Sequence, residues 1–221
     1  MNEEASISLG VLVSGGGTNL QAIIDKIHFG PCDANISCVI SNTENAYALT
    51  RASKASIHHT VIPHTHFATK DNFETELIRE LDKHHVDIVI LAGFMRVLGN
   101  VFVSRYLGRS LNIHPSLLPE LSGLHTHQRA LDQGLSKHGC SVHFVTTELD
   151  GGPVILQASV PVFDNDDANT LAKRVLEKEH IIYPKCVEWL CTKKIALTDG
   201  LAYYENRPLN KPLQLDEIAN S

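Results

Sequence analysis

The chain has 221 residues, 43% of them hydrophobic, enough for one full core and at most a small appendage. Nineteen basic side chains against twenty-five acidic ones leave a formal charge of −6, and no stretch is dense in Lys and Arg, which disfavours a nucleic-acid surface. No apolar run approaches the roughly 18 residues of a membrane span, Met1–Ser6 lacks the regions of a secretory signal, and five cysteines without a C-x-x-C pair suit small core residues in a reducing cytoplasm.

Ile7–Val13 is a continuous apolar run, as in a strand buried on both faces. It breaks at Ser14-Gly15-Gly16-Gly17, after which Leu20, Ile23, Ile24 and Ile27 recur at helical spacing. A second strand over Ile36–Ile40, a helix over Ala46–Ala55 and a short strand over Thr60–Ile62 follow. Phe73, Leu77, Ile78 and Leu81 mark an amphipathic helix, and Val86–Ala92 reads as another apolar strand. This alternation predicts an α/β fold: an open, mostly parallel, doubly wound sheet with helices on both faces.

Beyond about residue 110 the pattern changes. Leu111–His114 reads as a short strand, and Leu124, Leu131 and Leu135 suggest a helix. Cys140, Val142 and Phe144 alternate with Ser141 and His143, as in a half-buried strand. Val154–Phe163 is a long strand close by, so the C-terminal half is expected to be mixed. A helix from about Asn169 to Leu190 is expected to be kinked or interrupted at Pro184. The whole, 1–221, reads as one domain: a nucleotide-binding-like half over about 7–110, a catalytic half over about 111–190, and a polar tail, 208–221, that frays.

The glycine-rich turn between the first strand and helix suits a phosphate. Consecutive glycines let backbone approach a ligand, and a helix start offers free amides and partial positive charge. No Lys follows as in a Walker loop. The dinucleotide fingerprint fails as well, because Leu20 stands where its third glycine belongs and Ser41-Asn42 replaces the acidic ribose ligand. The same residues also suit a plain tight turn with Thr18 as cap.

In the catalytic half, Asn112 and His114 stand two apart on a strand and so share a face. Pro115 ends that strand. Asp150 precedes Gly151-Gly152, from where its carboxylate could orient the imidazole and favour its protonated form. Such a trio suits attack of an amine on an acyl or formyl carbon: the amide donates to the carbonyl oxygen while the imidazolium stabilises the oxyanion or protonates the leaving nitrogen. The alternative is that His114 and Asp150 are turn residues bonded to backbone.

Six motifs in order carry a family resemblance: Ser14-Gly15-Gly16-Gly17-Thr18-Asn19-Leu20, Leu91-Ala92-Gly93-Phe94-Met95-Arg96, Asn112-Ile113-His114-Pro115-Ser116-Leu117-Leu118-Pro119, His138-Gly139-Cys140-Ser141-Val142-His143-Phe144, Glu148-Leu149-Asp150-Gly151-Gly152-Pro153 and Glu179-His180-Ile181-Ile182-Tyr183-Pro184. Over about Ile7–Leu190 the chain resembles the phosphoribosylglycinamide formyltransferases of purine synthesis, in their single-domain bacterial form. The resemblance implies Asn112, His114 and Asp150 as catalytic residues. It implies Gly17, Thr18, Asn19 and Leu20 around the ribose-phosphate, and Glu179 at the glycinamide end of that substrate. The pterin of the formyl donor, 10-formyltetrahydrofolate, is implied to lie against Met95, Arg96, Val97 and Leu98 and against Thr146, Thr147, Glu148, Leu149 and Asp150. Lys70 stands where the family often carries arginine in its folate site, a point charge in place of a planar fork. Gly16 stands where Asn is frequent, and Glu120-Leu121-Ser122 departs from the basic or aromatic residues often found there. A cis bond at Leu118-Pro119 is also implied. Small-molecule substrates are the expected partners, with monomer and homodimer both open.

Thirteen histidines invite a metal, yet none is expected. His58-His59 and His84-His85 are adjacent pairs whose side chains diverge, and His64-x-His66 falls in a loop. His125-x-His127 has no Cys or acidic partner at zinc spacing. Three rival functions stand beside formyl transfer to phosphoribosylglycinamide. Formyltetrahydrofolate deformylase uses a similar trio with water as acceptor, but carries a domain before its catalytic part. Methionyl-tRNA formyltransferase needs a larger C-terminal domain and a basic surface. The third is a non-catalytic nucleotide-binding module.

Overall fold

The computed structural model describes residues 6–218, so the segments 1–5 and 219–221, including most of the expected amino-terminal stretch and the end of the expected tail, lie outside the described residues. The chain forms two compact units that divide between Leu111 and Asn112.

In the first unit, β1 (Ile7–Val13), β2 (Ala34–Ser41), β3 (His58–Val61) and β4 (Ile88–Leu91) run parallel in the order β4-β1-β2-β3. Leu9 to Val13 and all of β4 are buried at successive positions, so both sheet faces are covered. Helix α1 (Thr18–Ile23) continues as a π turn over Ile24–His28. It is followed by α2 (Tyr47–Lys54), α3 (Lys70–Lys83) and α4 (Asn100–Tyr106). The expected stripe of α3 is realised, with Phe73, Leu77 and Leu81 buried and Thr69 capping its start through Asn72 N–H at 3.2 Å.

Helix α4 has no counterpart in the sequence reading. Its start is held from a distance by buried Glu74, which accepts hydrogen bonds from Gly99 N at 2.5 Å and Phe102 N at 3.1 Å. A carboxylate there satisfies orphan amides and complements the helix dipole.

Parallel strands bring their carboxyl ends to one edge, where ligands bind in such sheets. Ser14 N–H donates to Gly93 O at 3.1 Å, Ser14 Oγ donates to Asn42 Oδ1 at 2.5 Å, and Met95 N–H donates to Ser14 Oγ at 2.8 Å. The glycine turn, the end of β2 and the loop after β4 are thereby joined.

In the second unit, β5 (Ser110–His114) enters at Asn112. It lies beside β6 (Lys137–Phe144), which pairs antiparallel with β7 (Val154–Pro161). Helix α5 (Thr126–Asp132) precedes β6, and α6 (Ala168–Cys191) packs on β6 and β7. Helix α6 is not interrupted: Pro184 lies inside it, with Ile182, Tyr183, Cys186 and Val187 fully buried around it. A ribbon of β8 (Ile195–Thr198), β9 (Leu201–Tyr204) and β10 (Arg207–Pro208), absent from the sequence reading, follows with antiparallel pairing. From 208 on, where fraying was expected, β11 (Leu213–Gln214) pairs parallel with β7 and α7 (Leu215–Ile218) follows. The Leu118–Pro119 bond is cis.

Strand β6 is not half-buried. Every residue from His138 to Phe144 is buried, because its polar side chains have partners. Ser141 Oγ donates to Ser116 O at 2.6 Å and accepts from Leu118 N at 3.0 Å and Gln157 Nε2 at 2.9 Å. Among the described residues no helix is long and apolar enough to cross a membrane.

Candidate active site

Strand β5 delivers Asn112 and His114 to one side of the second unit, and the segment after β6 returns Asp150 to them. Asp150 sits at φ 52°, a left-handed conformation that Asp tolerates better than most residues. The return is possible because Gly152 follows: a Cβ there would lie 1.8 Å from Phe144 O, inside the turn that Phe144 N–H closes on Pro153 O at 3.1 Å. The Asp150 carboxylate then accepts from Gly123 N–H at 2.9 Å and stands 3.3 Å from His114 Nδ1. Both side chains are less than a tenth exposed, so solvent screens the pair little.

At its other end His114 Nε2 lies 3.0 Å from Leu121 O. Both ring nitrogens therefore face oxygen acceptors, which the doubly protonated ring satisfies as two donors.

A fourth residue completes the cluster. His143 Nε2 lies 3.0 Å from Asn112 Nδ2 and 3.9 Å from Asp150 Oδ1, while its Nδ1 lies 2.9 Å from Phe144 O. A carbonyl oxygen only accepts, so Nδ1 carries the proton and Nε2 accepts from the Asn112 amide. Burial pushes His143 below the usual histidine range, in keeping with a neutral ring. One Asn112 N–H is thus spent on His143, which fixes the orientation of the amide. On the alternating pattern alone, His143 reads as an ordinary sheet residue. It shares a strand face with Ser141, and strand alternation cannot say which partner a face meets.

The remaining candidate residues distribute as follows. Gly17 has φ 69° and a Cβ there would meet Ala48 Cβ at 2.6 Å, so the turn requires glycine. Gly17 itself, not Thr18, occupies the N-cap of α1. Thr18 and Asn19 are half-buried, whereas the Leu20 side chain is fully buried, leaving its backbone amide as the group able to meet a ligand. First-turn amides have no acceptor within their own helix. Arg51 Nε donates to Gly16 O at 2.8 Å and braces the turn.

In the loop after β4, Met95, Arg96 and Val97 are exposed and Leu98 is buried. Lys70, Arg96 and Val97 line a cavity of about 200 Å³ together with Phe67 and Phe73. Lys70 also stands 3.8 Å from Glu74. Thr147, Glu148 and Leu149 are exposed and Thr146 is half-buried, with Gly151 N–H donating to Glu148 O at 3.2 Å. Glu179 is buried on α6. Burial, reinforced by the Glu179 charge, holds the Cys140 thiol well above its usual range. The five cysteines are all free, and four of them are buried.

The chain shares more than geometry with known proteins. Residues 8–187 match the formyl transferase family. The phosphoribosylglycinamide formyltransferase of Escherichia coli is 48% identical over 200 residues, covering 90% of this chain and 94% of that protein. That of Haemophilus influenzae is 43% identical over 203 residues, covering 92% and 96%. The solved structure of the phosphoribosylglycinamide formyltransferase of Coxiella burnetii superposes with a TM-score of 0.89 at 44% identity, covering 94% of this chain and 98% of that one. The mostly parallel α/β fold read from the sequence is therefore the fold of a known group. With its matched span, its sheet and its Asn112–His114–Asp150 cluster, this chain belongs to the formyl transferase family, among the phosphoribosylglycinamide formyltransferases.

Proposed function

We propose that this enzyme transfers the formyl group of 10-formyltetrahydrofolate to the amino group of phosphoribosylglycinamide, releasing formylglycinamide ribonucleotide and tetrahydrofolate. The observation that carries the reading is the buried His114–Asp150 pair at 3.3 Å beside an Asn112 amide aimed by His143. These are the donors that a carbonyl oxygen needs as it gains charge.

In this reading the free amine attacks the formyl carbon directly and the carbonyl π pair moves onto oxygen. Asn112 and His114 donate to that oxyanion. The attacking nitrogen sheds a proton, the folate nitrogen leaves carrying one, and the collapsing oxyanion restores the carbonyl. Asp150 keeps the imidazole oriented and compensates its charge. No formyl-enzyme and no metal take part.

Binding roles follow from chemistry. The first-turn amides of Gly17, Thr18, Asn19 and Leu20 suit a phosphate. Exposed Met95 and Val97 offer an apolar face to the pterin, with Arg96 and Leu98 in the same loop and Thr146, Thr147, Glu148 and Leu149 as the other folate loop. Lys70 and Arg96, sharing one cavity, suit the carboxylates of a folate tail. Glu179 receives the glycinamide end. The enzyme works in the cytoplasm on small molecules.

The test is a pair of reactions with formylated folate, with and without phosphoribosylglycinamide, following deformylated folate by absorbance. Release that depends on the acceptor is expected. Equal release without it makes the protein a hydrolase, and no release in either makes it a binding module.

A further inference from the structure

We propose that His58, Glu80 and His84 bind a divalent first-row transition ion such as zinc, at a site apart from the residues assigned to formyl transfer. Helix α3 carries Glu80 and places His84, its C-cap, one turn later, so both project from one face. Strand β3 is the edge of its sheet and begins at His58. Glu80 Oε1 lies 3.5 Å from His84 Nε2 and 3.7 Å from His58 Nε2. The two rings stand 4.3 Å apart, tilted by 34°, and the three ligand atoms all lie within 4.8 Å of one another.

Zinc bound at about 2.0–2.1 Å in a tetrahedron holds its ligands about 3.3–3.4 Å apart. Two edges of that tetrahedron are thus nearly formed, and closing the third is a small rotation of an exposed imidazole. Two imidazoles and one carboxylate are a donor set for zinc, nickel or copper rather than for magnesium or calcium, and three protein ligands leave one position for water.

The carboxylate is also prepared. Lys83 Nζ holds Glu80 Oε2 at 2.6 Å, which turns Oε1 toward the imidazoles, as outer partners do for ligating carboxylates. That contact holds the Glu80 carboxyl below its usual range. Spacing along the chain does not reveal this trio. Here the ligands come from two elements, while His59 turns away to Ile57 O at 3.0 Å and His85 leaves the helix at φ 51°. An ion at this point ties the edge strand to the end of α3, and binding to the folded state alone raises its stability.

The experiment is isothermal titration of chelator-treated protein with zinc chloride, with thermal melts in parallel. One ion per chain at micromolar affinity or tighter is expected, with a higher melting temperature in zinc and none of this in magnesium. His58→Asn and His84→Asn should each weaken zinc at least about tenfold. The double variant His64→Asn/His66→Asn should bind as wild type. His58 is half exposed, so its variant keeps the fold and the readout is independent of turnover. No saturable zinc binding, affinity unchanged in both single variants, or equal binding of magnesium overturns the proposal.

Discussion

Asp150→Asn removes one charge from beside His114 and keeps nearly everything else. The asparagine amide oxygen can still accept from Gly123 N–H, now 2.9 Å from the carboxylate, and Asn tolerates the φ of 52° at this position. What disappears is the attraction across 3.3 Å to the imidazolium. At an effective dielectric of about 20 that attraction has a ceiling of about 5 kcal/mol, and charge-assisted hydrogen bonds measured in proteins fall nearer 1.5–3 kcal/mol. With 1.36 kcal/mol per decade of rate, a fall in kcat on the order of tenfold to a hundredfold is expected. Formyl-folate affinity should stay within about threefold, because the charge acts on the reaction and not on binding. Steady-state deformylation in the presence of phosphoribosylglycinamide reads kcat, titration calorimetry reads folate, and a melt confirms the fold. A variant that melts like wild type and turns over within about threefold of it would refute the role given to the carboxylate.

Three further outcomes follow from other contacts. His143→Ala leaves the Asn112 amide unaimed and should lower kcat by about tenfold or more at unchanged KM, whereas His143→Gln, which keeps an acceptor, should recover part of the loss; equal defects in the two would show that His143 acts through packing alone. Glu74→Ala strips the acceptor from two amides at the start of α4 and should cost about 3 kcal/mol in urea unfolding, with Glu74→Gln costing less; a loss under about 1 kcal/mol would show that the remote cap is dispensable. Burial holds His138 down to about 4, from a usual 6.5, so between those values the unfolded chain binds more protons than the folded one. Stability from this group is complete above about pH 6.5 and lost as pH falls through about 4. The loss is about 3 kcal/mol at the acid end. Urea midpoints that stay flat from pH 7 to 4.5, or a His138→Gln variant with the wild-type slope, would contradict this.

The alternation of apolar strands with helical stripes made the first unit legible, because β1, β4 and α3 obey simple periodicities. Asn112, His114 and Asp150 were legible for a different reason: proline and glycine mark where their loops turn. Helix α4 was not, since Asn100–Tyr106 carries two valines and no local cap, and its start depends on Glu74 from another helix. Pro184 predicts a kink or an interruption in α6, and no interruption occurs, because the burial of Ile182, Tyr183, Cys186 and Val187 offsets the roughly 3 kcal/mol a helical proline costs. The role of His143 was not legible, because it depends on Asn112 on another strand.

The Leu121 carbonyl, 3.0 Å from His114 Nε2, has a consequence for inhibition. At rest a neutral backbone oxygen takes the hydrogen bond that, in the proposed mechanism, the developing negative charge must claim. Each turnover is then an exchange of acceptors, won by whichever oxygen carries more charge. A ground-state formyl oxygen resembles the incumbent and gains little by displacing it, while an anionic mimic of the tetrahedral adduct gains a great deal. Compounds carrying a hydrated or ionised centre at that position should therefore outbind planar folates by a margin that grows with their charge.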